Sequence, residues 1–237
     1  MGFNLLSSAS ERNRYQEISD SIDHRSNGYK TRRESLLTKP DAAILLIRRA
    51  LNAGIDADYV LMDTWFTTEP MLSSILAEGL DVIGMVKQLK QRYIYRGKSY
   101  TLPELRKFVR FEGARNIFGS LCVTTKKGIP VKIVFVRNRN KKSECLYLLS
   151  TDCNLSDAEI VRIYGNWWSI ECFFKASKSF LKFGTEFQSR SYDTMVSHTT
   201  IVFTRYIILE WIRHNRKTRR LMANCFSCSM RIYRTWI

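Results

Sequence analysis

The sequence has 237 residues, which is enough for one sizeable domain or two small ones with a buried core. Hydrophobic residues make up 45% and charged residues 25%, a composition that is typical of a globular protein and excludes collagen, coiled coils and knottins. The 38 Lys and Arg outnumber the 22 Asp and Glu, and the net charge of +16 indicates a polyanionic partner, with nucleic acid first.

The chain carries no signal for membrane insertion or secretion. Its best apolar run, from Ile201 to Ile212, is interrupted by Arg205 and Glu210 and is too short to cross a bilayer. The first twenty residues lack a basic region followed by an apolar one, so we expect a cytoplasmic, nucleoid-associated protein. The six cysteines form no disulfide framework and are interpreted as reduced thiols; even Cys225 and Cys228, at metal or redox spacing, are most simply incidental.

The first part of the chain alternates between helices and strands. Residues 8–39 are polar and rich in Arg and Ser, and they are predicted to be extended or loop. Helices are predicted from Ala42 to Ala53 and from Glu69 to Glu78, because each apolar run is closed by a glycine. Buried strands are predicted over 58–63 and 81–86. This alternation predicts an α/β core.

A basic, strand-rich segment follows. Between Lys87 and Ser143 there are 16 Lys and Arg but only two Glu, so this segment supplies most of the net charge. A hairpin is predicted over 92–101 with its turn at Gly97 and Lys98. Further strands are predicted from Ile117 to Thr125, from Ile129 to Val136 and from Cys145 to Ser150. Residues 92–150 therefore form a predicted basic antiparallel unit.

A long helix is predicted next, opened by a capping box at Ser156 and Glu159 and running through about Lys182, and another helix spans roughly 193–213. Steps of three and four place one set of side chains on a shared face: Tyr164, Trp168, Glu171, Lys175, Lys178 and Lys182. The other side is expected to be apolar: Ile163, Trp167, Ile170, Phe174 and Leu181. A carboxylate among lysines suits a metal beside a phosphate backbone, whereas an ordinary solvated helix with a Glu171–Lys175 ion pair is the alternative.

Asp63 ends a predicted strand, at the position where α/β sheets open into a crevice that holds active groups. The alternative is that Asp63 caps the turn that follows, beside Thr64 and Thr67. Trp65 and Phe66, directly after the carboxylate, are unusual for a plain turn.

Two segments resemble the insertion-sequence-four type of DDE transposases. The string from Tyr164 to Lys178 resembles the Y-(2)-R-(3)-E-(6)-K signature, with Tyr164, Glu171 and Lys178 on its positions. The strand Val60–Phe66 is similar to the segment that carries the second aspartate of that family. The likeness in character extends from Phe3 to about Trp211.

The resemblance implies an α/β fold of the ribonuclease-H-like (retroviral-integrase-like) class with a basic antiparallel β insertion at about residues 88–152. Residues 1–213 would be a partial catalytic domain without its N-terminal strands. It also implies a triad of two aspartates and one glutamate that holds two Mg²⁺ (or Mn²⁺) ions for phosphodiester transfer. Asp63 and Glu171 would be two of these catalytic and metal-binding residues.

The resemblance further implies double-stranded DNA as the partner, at the transposon ends and the target, bound by a homodimer and with no membrane involved. Trp65 would contact a displaced base near the cleaved strand. The other implied DNA contacts are Tyr164, Trp167, Lys175 and Lys178.

The sequence departs from the family in three places. The signature arginine is Trp167, and an indole cannot make the bidentate phosphate contact of a guanidinium. The leading aspartate is missing, and neither Asp20 nor Asp23 lies in a suitable strand. Residues 214–237 are an atypical basic tail. When the tail is back-translated with suitable codons and the DNA is read one base earlier, the resulting amino-acid sequence resembles the C-terminus of the family. We therefore hypothesise a frameshift near 214–216.

The expected ancestral function is DNA transposition by metal-dependent cleavage and strand transfer. We expect this chain alone to be inactive, because two carboxylates of a triad hold metal poorly. The alternative is a non-catalytic DNA-binding remnant or an inhibitor of full-length transposase. A basic RNA-binding protein that uses the β unit as its platform is a third, less favoured interpretation.

Overall fold

The computed structural model describes residues 2–7, 21–88, 91–109, 116–138, 144–185 and 191–215. The helices are α1 (Asn27–Glu34), α2 (Lys39–Asn52), α3 (Glu69–Leu76), α4 (Leu102–Arg106), α5 (Asp157–Gly165), α6 (Trp168–Phe180) and α7 (Tyr192–Asn215). The strands are β1 (Tyr59–Met62), β2 (Asp81–Val86), β3 (Arg92–Tyr95), β4 (Lys98–Thr101), β5 (Ile117–Thr124), β6 (Pro130–Arg137) and β7 (Cys145–Ser150). The predicted frameshifted tail, except its first two residues, and Cys225 and Cys228 lie outside the described residues.

The described residues divide into two compact units. The first, which we call the sheet unit, comprises Ile55–Trp168. The second, the helical unit, comprises the described residues up to Gly54 and those from Ser169 onward.

The sheet unit is mixed α/β and contains a seven-stranded sheet in the order β1-β2-β7-β6-β5-β3-β4. Strands β1 and β2 pair in parallel, and every other pairing is antiparallel. The predicted strands and their antiparallel arrangement are thus confirmed, except that the hairpin turn lies at Arg96 and Gly97, since Lys98 already pairs with Tyr95 as the first residue of β4. The basic strands are continuous with the α/β part, because β7 pairs with β2 in the same sheet. That these strands are an insertion into a ribonuclease-H-like fold stays a prediction.

Helix α5 covers one face of this sheet. Its Ile160 is fully buried and packs in a cluster with Ile83, Val134, Val136 and Leu148, which come from three neighbouring strands. Alternation along the strands directs these side chains to the same face, and burial of each large aliphatic side chain contributes about 1.5–3 kcal/mol. Helix α5 is thereby fixed against β2, β7 and β6.

The helical unit has its own apolar cluster, in which Phe173 of α6 lies edge-on to Phe203 of α7 with ring centroids 4.8 Å apart. Within residues 8–39, predicted to be extended or loop, α1 is a helix, and this part of the prediction is wrong. Ser26 caps α1, and the buried Arg32 is ion-paired with Asp193 of α7, a partner that local sequence cannot reveal. No helix within the described ranges is long and apolar enough to span a membrane.

The single long helix predicted from 156 to 182 is also wrong, because the chain breaks between α5 and α6. The backbone N–H groups of Asn166 and Trp167 bond to the carbonyls three residues earlier, at Ile163 and Tyr164, which tightens and ends the turn. Gly165 and Asn166 are poor helix formers at this point. The capping box at the start of α5 is confirmed, with Ser156 accepting from the N–H of Glu159.

The break changes which side chains share a face. Tyr164 lies on α5 and Glu171 on α6, so the predicted common face does not exist, and Lys182 lies beyond the end of α6 with a φ of 57°. The predicted apolar side is also only partly correct. Leu181 is buried, but Ile170 and Phe174 are exposed, and Phe173 is the large ring that faces the core instead.

Candidate nucleic-acid interface

Asp63 directly follows β1 and organises the turn after it. Its Oδ1 accepts hydrogen bonds from the backbone N–H groups of Trp65 (2.9 Å) and Phe66 (3.1 Å). Its carbonyl oxygen accepts from the Oγ1 of the buried Thr67 at 2.6 Å. The capping role considered as an alternative is therefore confirmed. It leaves Oδ2 with no donor among the described residues, so a capping role and a ligand role are compatible.

Tyr164 lies beside Asp63, although a hundred residues separate them along the chain. Met62 is the register partner of Gly84 in β2, so the next residue, Met85, is level with Asp63. The backbone of Met85 hydrogen-bonds to Tyr164. Burial raises the pKa of the Tyr164 hydroxyl, and the negative charge of Asp63 raises it further. Tyr164 is therefore a neutral donor next to a carboxylate at neutral pH.

Two tryptophans belong to the same unit. The rings of Trp167 and Tyr164 are parallel within 1°, with centroids 6.2 Å apart. Trp65 is 51% exposed and lies edge-on to Phe66, with centroids 4.7 Å apart. The carboxyl end of β1 and the end of α5 therefore carry partly exposed aromatic surface, which suits stacking with bases.

The remaining predicted site residues lie on α6 in the helical unit. Glu171, Lys175 and Lys178 are exposed and share one face at steps of four and three, opposite the buried Phe173 and Ala176. Among the described residues Glu171 and Lys175 do not form the ion pair considered as the alternative. Asp63, Trp65, Tyr164 and Trp167 thus belong to one unit, and the acidic and basic residues of α6 belong to the other.

The donor set for a divalent cation is incomplete in the described part of the chain. Mg²⁺ and Mn²⁺ bind to several oxygen ligands, and two-metal sites share carboxylates. No group of three or more His, Cys, Asp or Glu within the described ranges could hold a metal ion. Asp63 is the sole predicted ligand in the sheet unit, and its Oδ1 already serves two backbone donors. These residues do not fit a complete metal site.

Exposed basic side chains are distributed over the sheet unit. They comprise Lys87, Arg92, Arg96, Lys98, Lys107, Lys126, Lys127, Arg137 and Arg162. Among the described residues, Arg92 is 3.6 Å from Glu104, and Glu69 accepts from the backbone N–H of Lys127. A surface of this kind attracts a phosphate backbone by counterion release.

A cleft that no sequence pattern indicates opens at the carboxyl end of β2. The cleft has a volume of about 700 Å³, and Thr64, Lys87, Arg106 and Phe118 are among the residues that line it. The guanidinium of Arg106 lies 4.2 Å from the ring centroid of Phe118, and that of Arg137 lies 5.4 Å from it. The strand order β2-β7-β6-β5 places the cleft-lining residues of β2 and β5 in the same sheet. No local sequence pattern encodes that order.

Comparison with known proteins gives little beyond this geometry. No protein-family model matches the chain, and no curated protein matches it. Among solved structures six chains match, and one of them is a piggyBac transposase in a synaptic complex with hairpin DNA. That match has 17% sequence identity and a TM-score of 0.43, and it covers 71% of this chain. The chain spans about a third of that protein, since 34% of the piggyBac chain is covered.

Proposed function

We propose that this chain is a transposase-related protein of the insertion-sequence-four DDE type and that it binds the ends of a transposable DNA element. One observation carries the proposal. Tyr164 of the signature segment and Asp63 of the second-aspartate segment are neighbours across β1, β2 and α5. Their proximity in the fold supports assigning the two motifs to one site.

The DNA contacts follow from the chemistry of the side chains. Lys175 and Lys178 offer exposed ammonium groups to phosphates, and the neutral Tyr164 hydroxyl can donate to one. Trp65 and Trp167 offer ring faces to bases that leave the duplex. The exposed Lys and Arg of the sheet unit would track the backbone and supply most of the affinity.

Catalysis is a separate question from binding. The resemblance assigns Asp63 and Glu171 to a carboxylate triad that holds Mg²⁺ or Mn²⁺ and would supply phosphodiester transfer. The described donors do not complete that triad. The chain is therefore proposed to bind the ends of the DNA element without cleaving them. This is the behaviour of a remnant, or of an inhibitor that occupies the DNA ends on which a full-length transposase acts.

The test is a salt titration of DNA binding by the purified full chain. Fluorescence anisotropy would use a duplex with the terminal inverted repeat of the element that encodes the chain, and a shuffled duplex of equal composition. Each phosphate contact contributes about −0.9 to the slope of log K against log salt. The double substitution Lys175→Ala and Lys178→Ala should reduce the magnitude of the slope by about 2.

Lys30→Ala is the matched control, because Lys30 is an exposed lysine of α1 in the same unit that the proposal does not use. An equal loss from this control, or equal affinity for the two duplexes, would refute end recognition. The same samples incubated with Mg²⁺ or Mn²⁺ test cleavage. Cutting that disappears in Asp63→Asn and Glu171→Gln would establish an active transposase in place of a binding remnant.

A further inference from the structure

Two cysteines that are 31 positions apart in the sequence are neighbours in the sheet unit. Cys122 of β5 is the register partner of Lys132 in β6, and Lys132 is the partner of Ser150 in β7. Directly paired residues of neighbouring strands point to the same face, so these three side chains form one row across the sheet. Cys153 follows Ser150 by three residues, in the segment between β7 and α5.

That segment passes over β6 toward Cys122. The Nζ of Lys132 donates to the carbonyl oxygen of Leu155 at 2.7 Å and is 3.0 Å from a carboxylate oxygen of Asp157. These contacts hold the 151–157 segment above Lys132, one strand from β5. The Cys153 thiol, which donates to the carbonyl oxygen of Thr151 at 3.9 Å, consequently lies close enough to Cys122 for the two side chains to interact. Both cysteines are free thiols.

We propose that Cys122 and Cys153 form a dithiol site that undergoes thiol–disulfide exchange with low-molecular-weight disulfides. The thiolate of Cys122 attacks one sulfur of the disulfide RSSR, which forms a mixed disulfide on Cys122 and releases RS⁻. The thiolate of Cys153 then attacks the Cys122 sulfur, which forms the intramolecular disulfide and releases a second RS⁻. The two thiol protons end on the two RS⁻ groups, so the protein loses two hydrogens as RSSR is reduced to two RSH.

The environments of the two thiols assign this order of events. Cys122 is exposed, whereas Cys153 is half-buried. Burial raises the pKa of the Cys153 thiol and the neighbouring Cys122 raises it further, while the ammonium of Lys132 opposes them. The exposed Cys122 is therefore the entry point, and Cys153 is the resolving thiol. The disulfide would fasten β5 to the segment that leads into α5.

The experiment uses the full chain with Cys225→Ser and Cys228→Ser, which removes the thiols of the tail. Oxidised glutathione is the probe, and intact mass with non-reducing peptide mapping is the readout. The expected product has lost two hydrogens and yields one linked peptide pair that contains Cys122 and Cys153. Cys153→Ser should instead accumulate a glutathione adduct on Cys122, and Cys122→Ser should form neither adduct nor link.

Cys145→Ser and Cys172→Ser are the matched controls, since each removes a half-buried cysteine thiol that is not in a disulfide and each should leave the link unchanged. Circular dichroism of each variant shows that it is folded, and Cys122→Ala provides a second test if Cys122→Ser is not. A stable glutathione adduct on Cys122 in the presence of Cys153, or links that involve Cys145 or Cys172 at equal yield, would overturn the proposal. The disulfide readout does not involve DNA. A failure of the dithiol proposal can therefore be distinguished from a failure of the proposed function.

Discussion

Gly84 of β2 is the position at which one methyl group should disturb the Asp63 turn most. A Cβ added there would meet Oγ1 of Thr67 far inside contact distance and would lie 2.8 Å from its Cγ2. Thr67 cannot easily move away, because it is buried and its Oγ1 donates to the carbonyl of Asp63 at 2.6 Å. Gly84→Ala therefore forces either β2 or the Asp63 turn to shift.

The expected change in stability is the sum of two destabilising contributions and one stabilising contribution. Overpacking of a well-filled core costs about 1–3 kcal/mol. Loss of the hydrogen bond from Thr67 to Asp63 adds about 1 kcal/mol. Replacing glycine by alanine within a strand returns roughly 0.5–1 kcal/mol through the smaller conformational entropy of the unfolded chain. The net expectation is a loss of about 1–3.5 kcal/mol in the local stability of β1 and β2.

Hydrogen exchange measured by mass spectrometry is the appropriate assay, because it reports the local opening free energy and does not require the two units to unfold together. Peptides that cover β1 and β2 should exchange about tenfold to a hundredfold faster in Gly84→Ala. Thr67→Ala in the same chain should relieve the clash, so that the double variant is more stable than the sum of the single losses predicts. Wild-type exchange in Gly84→Ala, or strictly additive losses, would refute the steric argument.

Three further predictions follow from other residues. Trp167→Arg places at this position the arginine of the signature that the segment resembles, and it should steepen the salt dependence of DNA binding by about 0.9, whereas the uncharged Trp167→Gln should not; equal slopes would contradict a phosphate contact here. Tyr93→Phe removes a fully buried hydroxyl with no partner among the described residues and should raise the unfolding free energy measured in urea by about 1 kcal/mol. Hydrogen bonds from the capping residues lower the pKa values of Glu104 and Glu159, so their stabilisation is present at neutral pH and lost as the pH falls through those lowered values. Replacing both by Gln should reduce the acid-induced fall in melting temperature, and an unchanged pH profile would contradict it.

Local patterns predicted most of the sheet unit correctly. The strands β1, β2 and β5 to β7 follow from apolar runs bounded by turn residues, and α5 begins at its predicted capping box. The errors have tertiary causes. Helix α1 is polar and short, and it is held by the ion pair of Arg32 with Asp193, which lies 161 residues later. The break at Asn166 escaped prediction because apolar residues continue at helical spacing across it.

The candidate site could be predicted one residue at a time but not as an arrangement. Sequence motifs selected Asp63 and Tyr164, yet their adjacency depends on the parallel pairing of β1 with β2 and on a hydrogen bond from the backbone of Met85. The proposed dithiol of Cys122 and Cys153 was missed for the same reason. Sequence motifs identify a redox pair only when the two cysteines are a few residues apart in the sequence. Long-range register is the information that a single sequence does not carry.

Under the proposed function, the side chain at position 167 determines what the end of α5 can recognise. An arginine here would hold a phosphate with two parallel hydrogen bonds and would carry charge into the interface. The indole instead lies parallel to the ring of Tyr164, so the two form an aromatic pair at the point where α5 ends. Stacking on such a pair accepts any base and depends little on salt. Compared with the Trp167→Arg variant, the natural chain should therefore bind DNA ends with weaker salt dependence and should favour ends with unpaired bases over blunt duplexes.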